Sequence, residues 1–331
     1  MEFSRANNGG TVTDEFGVTY SEDGGILLKA DPNVFREKVY AIPASTKIIW
    51  EWAFSEITSL EKVIFEDIYG NTGLKFVGEF AFEGCTSLRE IEIPDSVTQM
   101  GQCIFRGCKA LQKAHLPKGI ASIPCECFLE CASLEEVNIP EGVRCIEICA
   151  FTGNKSLRHI NLPESLEWIE DTAFSGCGLE SIVLPENVQF LGEDCFRDCP
   201  LNEFTIPRNV EKILPWVVSR HDGFQGVKCL SPHFKVVGDA LIDEKGGLLC
   251  CWADTQEYKV PDCVKSLHGF ANDRVVTIVC DHHLEEVSYD CFCACSSLQE
   301  VRLASVDNID RTAFYGCVPT LIVGGIETPL N

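Results

Sequence analysis

The sequence predicts a repeat solenoid of about eleven stacked turns, each 22–23 residues long and each contributing one short strand to a shared parallel sheet. Three observations carry this. The heptad Leu88-Arg89-Glu90-Ile91-Glu92-Ile93-Pro94 recurs as Leu111 to Pro117, Leu134 to Pro140, Leu157 to Pro163, Leu179 to Pro185 and Leu201 to Pro207, with the prolines 23, 23, 23, 22 and 22 residues apart. An aliphatic follows each proline at +3 and usually at +6, and a phenylalanine follows at +11: Phe105, Phe128, Phe151, Phe174 and Phe196. Three residues past each phenylalanine stands Cys108, Cys131, Asn154, Cys177 or Cys199, and a leucine then opens the next copy. At 331 residues a chain ordinarily splits into several cores, whereas a repeat grows by adding turns to one.

The expected elements follow in chain order. Residues 1–43 read as an N-terminal cap, in which Gly17 to Tyr20 and Asp23 to Leu28 form two short strands across Gly24-Gly25, followed by Tyr40 to Pro43. Residues 44–215 form the first block. Its opening turns are less regular: Pro43, Thr46, Ile49, Phe54 and Leu60 make one, and Leu60, Val63, Phe65, Phe82 and Cys85 make another, stretched by about five residues around Asp67 to Gly73. In the regular copies Ile91 and Ile93 alternate with Glu90 and Glu92, the period of a strand with one buried face. Pro94 and its equivalents lack an N–H and end each strand at the same point. The aliphatics and the phenylalanine carry the chain back across the interior. About six buried apolar side chains per turn, at roughly 1.5–3 kcal/mol each, offset the cost of ordering a turn only when neighbours are present. Residues 216–261 read as an interrupting insert with a second hairpin, from Phe234 to Ile242 and Lys245 to Leu249 across Gly246-Gly247, then Tyr258 to Pro261. Residues 262–331 form a second block, with Val275, Ile278, Cys280, Leu284, Val287, Phe292, Cys295 and Leu298 in one turn and Asp281 in the proline slot. Val301, Leu303, Ile309, Phe314, Cys317 and Leu321 make a last turn, and Gly324 to Asn331 is a thin C-terminal cap.

The pattern Leu-x-x-Ile-x-Ile-Pro, then Val, Ile, Ala-Phe and Cys, holds over about 250 positions and resembles the BspA-like, or Treponema pallidum-type, leucine-rich repeats. The resemblance implies a right-handed superhelix with its parallel β-sheet on the concave face, and hairpin-like inserts of the kind read at residues 17–43 and 234–261. It also implies protein binding as the activity. Because members of that family are known as surface proteins, it brings with it an alternative role as a cell-surface adhesin for host or matrix proteins.

Twenty cysteines are the outlier of the composition. Cys85, Cys108, Cys131, Cys177, Cys199, Cys295 and Cys317 share the slot that Asn154 fills in one copy, and an interchange of two small polar side chains at a turn points to a structural hydrogen-bonding ladder. Cys103, Cys125, Cys127, Cys149, Cys195, Cys291 and Cys293 lie within three residues of a phenylalanine and read as core packing. Cys291, Cys293 and Cys295 with His282 and His283 are the sharpest zinc candidate, but the chain has no C-x-x-C pair and the repeat already accounts for two of the three cysteines. Cys250-Cys251 is a weaker redox or metal candidate. No G-x-S-x-G, H-E-x-x-H, G-x-G-x-x-G or G-x-x-x-x-G-K-[ST] occurs, so an enzyme is not expected, nor is a metal or a cofactor. The sequon Asn154-Lys155-Ser156 falls on the ladder slot, where its asparagine is occupied.

Charge narrows the partner. Fifty acidic residues against 27 basic give −23, which disfavours a nucleic acid and favours a basic protein. The longest apolar runs fall far short of the roughly 18 residues of a membrane span, so no membrane insertion is expected. The opening residues have no apolar leader, and a large set of reduced thiols fits a reducing compartment, so the expectation is an intracellular, cytoplasmic protein, with the cell surface as the alternative if a leader was removed.

A solenoid binds with its strand face, and the outward positions of the strands lie four and two residues before the proline slot. The middle copies supply a polar strip there: Glu90 and Glu92, Lys113 and His115, Glu136 and Asn138, His159 and Asn161. These eight residues are the expected partner-binding set. Trp50, Trp52 and Trp216 are a second candidate, as aromatic anchors.

Overall fold

A computed structural model describes residues 10–67, 73–219, 223–270, 272–293 and 295–330. The opening nine residues, the centre of the 67–73 insertion and Asn331 lie outside the described residues. Among the described residues there is no helix, and the chain is a parallel-strand β-solenoid of about 13 turns. The two turns beyond the expected eleven lie in the stretch read as an insert. Val227–Cys229 pairs in parallel with Phe204–Ile206, and Glu257–Lys259 pairs in parallel with Thr277–Val287. Val227–Cys229 lacks the proline-and-phenylalanine spacing, while Glu257–Lys259 is followed by Pro261, Val264, Leu267 and a phenylalanine at +9 instead of +11, Phe270; each strand buries one alternate side chain, Val227 and Tyr258.

The residues divide into two compact units, Met1–Leu166 with Gly176–Leu179, and Glu167–Ser175 with Glu180–Asn331. Two parallel ladders run through the first unit. One joins Val39–Ile42, Lys62–Phe65, Glu90–Glu92, Lys113–His115 and Glu136–Asn138 in that order. The other joins Ile26–Ala30, Ile48–Ile49, Phe76–Val77 and Gln99–Met100, and it begins on an antiparallel hairpin of Thr11–Thr13, Val18–Ser21 and Ile26–Ala30. The hairpin gives the first turn a partner on one side, which is what a terminal turn of a stacked fold needs.

Between the ladders the phenylalanines form a column. Phe54, Phe82, Phe105, Phe128 and Phe151 are fully buried, and successive ring centroids from Phe54 to Phe151 lie 5.4, 5.7, 5.3 and 5.3 Å apart with the planes 3–17° from parallel. The chain reverses around each ring by entering the left-handed region on both sides of it. Around Phe105 those residues are Cys103, at φ 58°, and Gly107, at φ 70°.

In the second unit, Phe204–Ile206 and Val227–Cys229 form one short ladder, and Phe234–Val237, Ala240–Asp243 and Gly247–Cys251 form an antiparallel hairpin. The hairpin's last strand pairs in parallel with Ser266–Leu267, and that ladder continues through Thr277–Val287 and Glu300–Ile309. Thr320–Val323 closes the run, with Ile326–Thr328 folded back on it antiparallel. Gly324-Gly325, both at positive φ, make the turn of that hairpin.

Candidate functional site

The strand face of the first unit brings six of the eight strip residues together. Parallel register places Glu90, Lys113 and Glu136 in one row, and Glu92, His115 and Asn138 in the next. Their side chains point outward because the intervening Ile91, Ala114 and Val137 are buried. The first row extends over Lys62 to Val39, and the second over Ile64 to Ala41. His159 and Asn161 are exposed, but residues 157–162 carry no ladder strand, so these two stand outside the paired rows.

The two rows differ in chemistry. In the first, signs alternate across the strands, and the charges close on one another. Lys62 donates to Glu90, and Lys113 Nζ lies 2.9 Å from Glu136 Oε2. The Lys62 ammonium holds the Glu90 carboxyl below its ordinary range, and Glu136 raises Lys113. In the second row His115 Nδ1 lies 3.4 Å from Asn138 Nδ2, while the Glu92 carboxylate makes no ion pair among the described residues. Both rows line a depression of about 720 Å³ that also takes in Phe65, Asp67, Asp95 and Ser96. Asp95 is tied to Lys118, 2.6 Å away, which lowers its pKa. The lining is therefore acidic overall, with an apolar end at Ile64, 44% exposed. Ile64 is legible as an outward strand position beside Lys62, but its apolar character keeps it out of the polar strip.

The aromatic candidates separate. Trp52, 45% exposed, stacks on Phe80 with centroids 5.1 Å apart, and Trp50 is half-buried. Trp216 is only 2% exposed and belongs to the core of the second unit.

The cysteine slot forms a file of thiols, each aimed at a backbone carbonyl one turn back. Sγ of Cys85, Cys108, Cys131 and Cys177 donates to the carbonyl of Phe54, Phe82, Phe105 and Phe151 at 3.1, 3.1, 3.0 and 3.0 Å. Asn154 substitutes its amide, donating to the Phe128 carbonyl at 3.0 Å and to that of Phe151 at 2.5 Å, and its Oδ1 is buried with no partner. In the second unit Cys199 reaches Phe174 at 3.0 Å, Cys295 reaches Phe270 at 2.5 Å, and Cys317 lies 3.6 Å from the Phe292 carbonyl. Burial raises Cys85, Cys108, Cys131, Cys295 and Cys317, Cys131 to about 12, so these thiols stay protonated donors at neutral pH. All twenty cysteines are free. Among the described residues no three His, Cys, Asp or Glu side chains are grouped to hold a metal ion, and Cys293 of the zinc candidate sits instead beside Arg197. No helix among them is long and apolar enough to cross a membrane.

The sequence profile described as BspA type leucine rich repeat region matches residues 37–154, 65–178, 146–231 and 259–323. Among solved structures, a leucine-rich repeat protein from Bacteroides ovatus shares 20% identity over 96% of this chain and 93% of its own, with a TM-score of 0.54. One from Eubacterium ventriosum is 26% identical over 54% of this chain, at a TM-score of 0.43, and only 53% of its own length is matched. A leucine rich cell surface protein from Faecalibacterium prausnitzii is 19% identical over 96% of this chain and 86% of its own, at a TM-score of 0.46. No curated protein matches the sequence.

Proposed function

This chain belongs to the BspA-type leucine-rich repeat family, and from that premise we propose that it is a non-enzymatic scaffold that binds a protein partner along the strand face of its first unit. The observation that carries the reading is the register of Glu90, Lys113 and Glu136 beside Glu92, His115 and Asn138, two outward rows on one ladder lining one depression. Such a face offers many modest contacts and no enclosed reaction chamber, which suits a protein surface better than a small substrate. His159 and Asn161, exposed in the following turn, are proposed as a further part of the partner-binding set.

Capture of partners from a lysate of the source organism, compared between the wild type and a His115→Glu, Asn138→Glu double variant of equal thermal stability, tests this. A partner lost only in the variant supports the strand face. Partners retained by both put the binding surface elsewhere.

The reading includes a reducing, intracellular setting, supported by twenty free thiols, several of them hydrogen-bonded in the ladder. Alkylation of the protein in intact cells, followed by mass measurement under non-reducing conditions, checks this. Cystines in the native protein, together with binding to host or matrix proteins at the cell surface, would replace it with an adhesin.

A further inference from the structure

We infer that the strand-face depression recognises an extended segment of the partner that presents one arginine or lysine to Glu92, with an apolar residue beside it seated on Ile64. This deepens the strand-face reading and rests on it. The inference comes from the contrast between the two outward rows. Strands in a ladder are about 4.8 Å apart, so opposite charges on neighbouring strands meet directly. In the first row Lys62 meets Glu90 and Lys113 meets Glu136, and those four charges are already matched inside the sheet.

The second row reads Ala41, Ile64, Glu92, His115 and Asn138: two apolar side chains, one carboxylate and two neutral polar groups. Glu92 is exposed and makes neither an ion pair nor a side-chain hydrogen bond among the described residues. Asp95, on the same rim, is bonded to Lys118, and His115 turns toward Asn138. Among the described residues, Glu92 is therefore the carboxylate on the two rows that is left open for an external cation, and its neighbour toward the N-terminal turns is the exposed Ile64.

That pairing selects the occupant. A bare cation would use Glu92 and ignore Ile64, whereas a guanidinium or ammonium on a peptide brings an apolar neighbour along with it. A uniformly basic segment gains little, because Glu90 and Glu136 in the adjacent row are already matched by Lys62 and Lys113 and offer no further open carboxylate. The fitting ligand is thus an isolated cation flanked by leucine, phenylalanine or a similar residue.

The test screens a library of octapeptides built from Arg, Lys, Glu, Leu, Phe and Ser against the full chain by fluorescence polarisation. Selected peptides are expected to carry one Arg or Lys next to Leu or Phe. Glu92→Gln should bind them at least tenfold more weakly, and Glu92→Lys should reverse the preference toward peptides with Glu in the cation's place. Both variants change an exposed side chain, and their thermal midpoints should match the wild type. Selection of peptides without a cation, selection of none, or full affinity in Glu92→Gln overturns the inference. Ile64→Asp separates it from the wider reading. Binding lost in Ile64→Asp but kept in Glu92→Gln removes the cation site and leaves the strand face. Binding kept in both removes the strand face as well.

Discussion

In the first unit the phenylalanine rings stack almost parallel from Phe54 to Phe151, while in the second unit the stack is broken and restarted. Phe174 and Phe196 are stacked 5.4 Å apart, but Phe204 meets Phe196 at 51°, Tyr258 meets Phe270 edge-on, and Phe270 meets Phe292 at 57° over 6.0 Å. The cause is the placement of each ring by an equivalent turn, so that rings and thiols line up by translation even across the 28 residues from Phe54 to Phe82. The hairpin from Phe234 to Cys251 interrupts that translation. The second unit then uses polar ties between residues far apart in sequence: Tyr289 donates to Glu193 at 3.1 Å across 96 residues, beside an Arg197–Asp194 pair at 3.2 Å. Burial raises Asp194 to about 6 against the pull of Arg197. Regular repeats are held by like beside like, and interrupted ones by individual contacts.

The largest effect expected from this contrast is on the ring column. Phe151→Ala should cost about 3–5 kcal/mol in denaturant unfolding, as other buried phenylalanine truncations do. An unchanged midpoint would place the ring outside the core. The thiol file should show itself in alkali. Cys131 titrates near 12 when folded and near 8.5 when unfolded, so the folded state binds its proton more tightly. Its contribution is complete below about pH 8.5 and is lost as pH rises toward 12, at about 1.4 kcal/mol per pH unit. Cys131→Asn keeps a donor without a titrating group and should flatten the fall in stability between about pH 9 and 10.5 by about 2 kcal/mol. Equal slopes for the two proteins would remove the thiols from the account of alkaline unfolding. The reverse exchange is informative at neutral pH. Asn154→Cys removes the buried, unpartnered Oδ1 and should raise stability by about 1 kcal/mol, and a loss would show that the second amide bond to Phe151 outweighs that oxygen.

How much of this was legible depended on whether the feature repeats. The period of proline, phenylalanine and cysteine revealed the solenoid, and the alternation of Glu90, Ile91 and Glu92 revealed which side chains face outward, because translation makes each copy a restatement of the others. The strand Val227–Cys229 was not legible as a turn, since backbone pairing leaves little mark on composition, and Glu257–Lys259, which Pro261, Val264, Leu267 and Phe270 do mark, falls within the stretch read as an insert. Nor was the contact between Tyr289 and Glu193, which no periodicity brings together. Within the site, the row positions could be read from the sequence. The difference between a charge matched inside the sheet and one left open could not, because it depends on side-chain distances such as the 2.9 Å between Lys113 and Glu136.

The smallest effect expected concerns the turn just past each ring. Two residues after the phenylalanine the chain is left-handed, and in the first unit Gly84, Gly107, Gly153 and Gly176 meet that demand while Glu56, at φ 62°, and Glu130, at φ 58°, resist it. The Glu130 side chain forms no hydrogen bond or ion pair among the described residues, so it offers nothing in return for the strain. Glu130→Gly removes a cost of about 1–2 kcal/mol for a left-handed L-residue and adds chain entropy of about 0.4–1 kcal/mol to the unfolded state, a net gain of about 0.5–1 kcal/mol. In the second unit Asp198 occupies the same slot at φ 57°, but Ser219 Oγ lies 3.5 Å from its carboxylate and Arg197 stands 3.9 Å away. Asp198→Gly should therefore gain less than Glu130→Gly, because relief of the backbone is offset by loss of those contacts. Thermal unfolding of the two variants side by side decides it, and equal gains would mean that the side-chain ties around Asp198 add nothing to the stability of the interrupted unit.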